Sequence, residues 1–168
     1  FIENLKNGST AIVFIQNLFE TSLNTILRRR SDISEIDILK SSIGIKLQVI
    51  SLIYNFDLSE IKSNNLYSMY REVEKIRNDI THFKSNILCH ASAIPADVKI
   101  DLGTSKKSLA TIFTQTYIKN CYLQILSLIE LICSKCDLFI NKDVLILDCD
   151  GRDVSCEFIV DKKPIKYD

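Results

Sequence analysis

Apolar residues recur at three-and-four spacing along most of this chain, and that period predicts helices. Ile12, Ile15, Phe19, Leu23 and Ile26 form one stripe, on a first helix expected over residues 9–30. Arg28, Arg29 and Arg30 would close it, since positive charge suits a helix C-terminus. The alternative use of the same cluster is an RNA contact. A second helix is expected over 35–55, with Ser34 as N-cap and Ile36, Leu39, Ile43, Leu47, Ile50 and Ile53 as its stripe. Gly44 falls inside it, where it costs helix stability but admits close approach of a neighbour. A short extra turn is expected near 57–62. A third helix starts at Asn64 or Asn65 and carries the cleanest stripe: Leu66, Met69, Val73, Ile76, Ile80 and Phe83. Its end falls between His82 and His90. Pro95 and Gly103 mark 91–105 as loop. A fourth helix is expected over 106–139. It is apolar nearly all round between Cys121 and Cys133, which predicts a central position or a subunit interface.

The period then shortens. Two β-rich runs, 144–149 and 154–160, flank Asp150-Gly151, a hairpin signal. A lone hairpin is marginal in water, so it must pack on the helices, pair with another chain or continue into a further region. The pattern therefore predicts an all-α class. A four-to-five-helix bundle occupies 1–142, and a β-hairpin appendage occupies 143–168.

Composition supports this and narrows the chemistry. Gly 4 and Pro 2 in 168 residues leave few breaks, which favours long helices. Lys+Arg and Asp+Glu balance at 21 each, so the chain is not a general polyanion binder, and any RNA contact must be local. Six cysteines sit mostly in apolar helical stretches with no signal peptide before them, which predicts reduced core thiols and a cytoplasmic setting. Cys133-x-x-Cys136 has zinc-like spacing, but no second pair repeats it, and no metal or cofactor is expected. No stretch is apolar enough to span a membrane; Asn120, Gln124 and Glu130 interrupt the best one. The chain opens at Phe1 rather than methionine, which leaves room for a partner domain.

The candidate chemistry lies in Arg77-Asn78-Asp79-Ile80-Thr81-His82, late in the third helix. An imidazole moves protons near neutral pH, and a guanidinium stabilises charge developing on a phosphate. At 100° per residue, Arg77 and His82 lie about 140° apart on a regular helix. Arg's reach, a helix end or kink near Thr81, or a second subunit could bring them together. Asn78, one turn before His82, could fix the tautomer of its ring. The plain alternative is a surface pair of Arg77 with Glu74 and a polar His82 near a helix end. His90 reads as structural or exposed, and Cys89 has no base-and-orienter set around it.

Arg and His at this spacing in an all-helical chain resemble the signature of the HEPN superfamily, over roughly residues 9–140. That resemblance implies a metal-independent endoribonuclease, acting as a homodimer whose motif helices meet in one cleft. It implies His82 as general base or general acid, Arg77 on the scissile phosphate, and Asn78 orienting either. Thr81 and Lys84 are the expected RNA-binding neighbours. Toxin or antiviral roles follow by analogy, with an antitoxin or regulatory domain as a possible partner. Toxins of this superfamily that pair with a nucleotidyltransferase antitoxin carry Tyr two residues after the His. Lys84 stands there in this chain and lacks that phenol.

Overall fold

The computed structural model describes residues 2–29, 36–87, 99–101, 106–141 and 159–161. Seven helices cover 79% of the described residues, so the mostly helical expectation holds. In chain order these are α1 (Ile2–Arg28), α2 (Ile36–Lys40), α3 (Ile43–Ile53), α4 (Leu58–Lys62), α5 (Asn65–Ile87), α6 (Leu109–Ile112) and α7 (Gln115–Lys135). Two small antiparallel pairs accompany them: β1 (Lys99–Asp101) with β2 (Lys106–Ser108), and β3 (Leu138–Ile140) with β4 (Ile159–Asp161).

Packing divides the chain into two compact units. The first comprises Phe1–Phe19 and Lys62–Ser127, the second Glu20–Ile61 and Leu128–Asp168. Helices α1 and α7 contribute residues to both.

In the first unit, Ile12, Ile15 and Phe19 of α1, Tyr70, Val73 and Ile76 of α5, and Cys121 and Ile125 of α7 are buried. Tyr70 falls beside the expected stripe, yet it is 1% exposed. Its ring lies 4.6 Å from that of Phe19, a favourable tilted pair, and its hydroxyl donates to Glu74 at 2.8 Å. Gly8 sits mid-helix in α1 because Phe113 crosses there: a Cβ on Gly8 would lie 2.4 Å from Phe113 Cδ1. Helix α1 begins before the expected Ser9. That hydroxyl donates back to the Lys6 carbonyl at 2.9 Å instead of capping a terminus.

In the second unit, Leu23, Ile26 and Leu27 of α1, Leu47 and Ile50 of α3, Ile61 of α4, and Leu128, Ile129 and Ile132 of α7 are buried. Lys46 is also fully buried, its ammonium 2.6 Å from Glu20 Oε1. The second predicted helix is two helices. The chain breaks at Ser41 and Ser42, and Ser42 adopts extended backbone and caps α3, its side chain accepting from the Ile45 N–H. The expected cap Ser34 lies outside the described residues. Gly44 is therefore in the first turn of α3 and exposed, and among the described residues only Ser42 Oγ, at 3.9 Å, comes near the place of a Cβ there. Asn55, at φ 52°, stops α3 in the left-handed region that asparagine tolerates. The extra turn at 57–62 is α4, capped by Asp57, whose Oδ1 accepts from the Ser59 N–H at 2.8 Å. The Ser59 hydroxyl, donating to Asp57 Oδ2 at 2.6 Å, and then that N–H hold the Asp57 carboxyl below the usual range.

The fourth predicted helix is also subdivided. Ser108 caps α6 and Thr114 caps α7, each hydroxyl accepting a backbone N–H at 3.2 Å. Lys99–Asp101 and Lys106–Ser108, expected as loop and helix start, are strands. Helix α7 stops at Lys135, Asp137 turns at φ 54°, and Leu138–Ile140 alternates buried, exposed, buried as a strand. The small C-terminal sheet is thus present, with β4 overlapping the expected run 154–160 at Ile159 and Val160. The other expected run, 144–149, lies outside the described residues. Arg29 secures β4, donating to Asp161 Oδ2 at 2.7 Å and to the Ile159 carbonyl.

Candidate functional site

Helix α5 begins where Asn64 Oδ1 accepts the Leu66 N–H at 2.9 Å, so asparagine supplies the cap. Its buried face is set by Tyr70, Val73 and Ile76. Arg77 follows at the border of that face and is half-buried; Asn78 and Thr81 are exposed. Arg77 Nη1 donates to Asn78 Oδ1 at 3.0 Å, and Thr81 Oγ1 donates to the Arg77 carbonyl at 2.8 Å. The alternative Arg77–Glu74 pair is not formed. Glu74 is taken by Tyr70 and by Arg71. The side chains of His82 and Lys84 lie outside the described residues, as does His90 entirely.

The backbone answers one question left by the sequence. Helix α5 continues past Thr81 and His82 to Ile87, so a helix end near Thr81 does not bring Arg77 and His82 together. On such a helix they stand about 140° apart. The Asn78 carbonyl oxygen is engaged by Arg77, which leaves its amide N–H groups for an acceptor nearby.

A polar cluster escaped the sequence reading. Lys107 of β2 and the Tyr117 hydroxyl both donate to Glu72 Oε2, at 2.9 and 3.2 Å. The Lys107 ammonium also lies 4.9 Å from the centre of the Tyr117 ring, a cation–π distance. Beneath it, Cys121 Sγ reaches Met69 Sδ at 3.9 Å. The cluster fastens β2 and α7 to α5 just before the motif. Spacing gives no sign of it, because its members are 35 and 45 residues apart.

Burial pushes the Cys121 thiol up to about 11 and those of Cys133 and Cys136 to about 12. All three are therefore thiols at neutral pH, which suits core packing and disfavours nucleophilic work. Among the described residues no group of three His, Cys, Asp or Glu is placed to hold a metal ion. No described helix is long and apolar enough to cross a membrane.

The first unit also carries an open apolar groove of about 720 Å³ between α1 and α7. Gly8, Ala11, Ile15, Phe113 and Ile118 line it together with Phe14, which is 66% exposed. Neither Arg77 nor Asn78 lines it. Comparison with protein-family models, with curated proteins and with solved structures found no match to this chain.

Proposed function

We propose that this chain is a metal-independent endoribonuclease of HEPN type that works as a homodimer. The observation that carries the reading is the Arg77–Asn78 hydrogen bond on the outer arc of α5, on the same uninterrupted helix as His82. With the two functional residues about 140° apart, a shared cleft is best built from two motif helices, each chain supplying one side. Arg77 then holds the scissile phosphate and stabilises the charge of the pentacoordinate transition state. Asn78 keeps the guanidinium in place and directs its own amide toward the phosphate or the ring of His82. His82 removes the proton of the ribose 2′-hydroxyl or delivers one to the leaving 5′-oxygen. The 2′-oxygen attacks phosphorus as the P–O5′ bond breaks, giving a 2′,3′-cyclic phosphate and a 5′-hydroxyl. Thr81 and Lys84 extend the contact along the RNA. A toxin or antiviral setting, with an antitoxin or regulatory domain as partner, belongs to the same reading.

A second reading is a non-catalytic dimerisation or partner-binding domain of HEPN-like build. The exposed Phe14 beside the α1–α7 groove favours it.

The test is cleavage of varied single-stranded RNA by the purified chain in EDTA, with DNA of the same sequence as control. The proposal expects RNA cut to cyclic-phosphate ends and DNA intact, since DNA lacks the attacking hydroxyl. Intact RNA after long incubation with excess protein would overturn it and leave the binding-domain reading.

A further inference from the structure

We draw no further inference here: the strongest candidate, the open apolar groove of about 720 Å³ between α1 and α7 beside Phe14 and Tyr122, carries nothing because no feature of the structure shows what covers it.

Discussion

Replacing Gly8 by alanine should destabilise the protein, against the usual sign for a glycine inside a helix. In an exposed helix interior, Gly→Ala gains about 1 kcal/mol from propensity alone. At Gly8 the added methyl would meet Phe113 Cδ1 at 2.4 Å and its Cβ and Cγ at 3.0 Å. Three contacts to one side chain, including its rigid Cβ, cannot be relieved by a ring flip. Phe113 is 4% exposed, so displacing it disturbs buried packing. Overpacking of this kind costs roughly 1–3 kcal/mol, more than the propensity gain in most of that range. The net expectation is a loss of about 1 kcal/mol. Gly44→Ala is the matched control. Among the described residues its added methyl meets nothing nearer than Ser42 Oγ at 3.9 Å, so it should raise stability by up to about 1 kcal/mol. Urea denaturation followed by far-UV circular dichroism would read both. A Gly8→Ala midpoint above wild type, moving with Gly44→Ala, would refute the close crossing of Phe113 over α1.

Three further outcomes follow from the packing. Glu20→Ala should cost about 2–3 kcal/mol by stranding the fully buried Lys46 ammonium, below the usual range for buried pairs because Glu20 is 40% exposed; Lys46→Met should cost less, and equal losses in urea melts would contradict the pairing. The thiols of Cys121, Cys133 and Cys136 are raised in the folded state, so their contribution is fully present below the unfolded thiol range and is lost as pH rises toward about 11–12. The urea midpoint should therefore fall as pH rises from about 9 toward 11, and a rise over that window would count against their burial. Lys107→Met should loosen β1 and β2, seen as faster amide exchange at Lys106–Ser108. Unchanged exchange there would show that the Glu72 contact does not hold the strand.

The helices were legible because their stripes are long and regular; the breaks were not. Leu39 and Ile43 keep helical spacing straight across Ser41 and Ser42, so the apolar pattern hides the interruption that the Ser42 cap creates. Helix α7 ends without glycine or proline: Asp137 takes the left-handed turn itself, and Leu138–Ile140 continues the apolar run as a strand. Three residues are too few for a period of two to stand out in the sequence, which concealed β1 and β2. At the candidate site, the outward placement of Asn78 and Thr81 follows from the 100° period and could be read in advance. The Arg77–Asn78 hydrogen bond, the diversion of Glu74 to Tyr70 and Arg71, and the Glu72 cluster depend on side-chain reach and distant partners, which spacing does not encode.

The central claim, a nuclease site shared between two motif helices, is tested most directly by cleavage of single-stranded RNA in EDTA by Arg77→Ala, His82→Ala and their equimolar mixture. Loss of general acid–base catalysis predicts a fall of about a hundred- to ten-thousand-fold for His82→Ala, and loss of transition-state stabilisation about a hundred- to a thousand-fold for Arg77→Ala. Half of the mixed population would be heterodimers, each with one intact composite site, so the mixture should recover about a quarter of the wild-type rate after subunit exchange. Wild-type cleavage by both single variants would contradict the assignment of Arg77 and His82, and a mixture as inactive as its components would contradict the shared site.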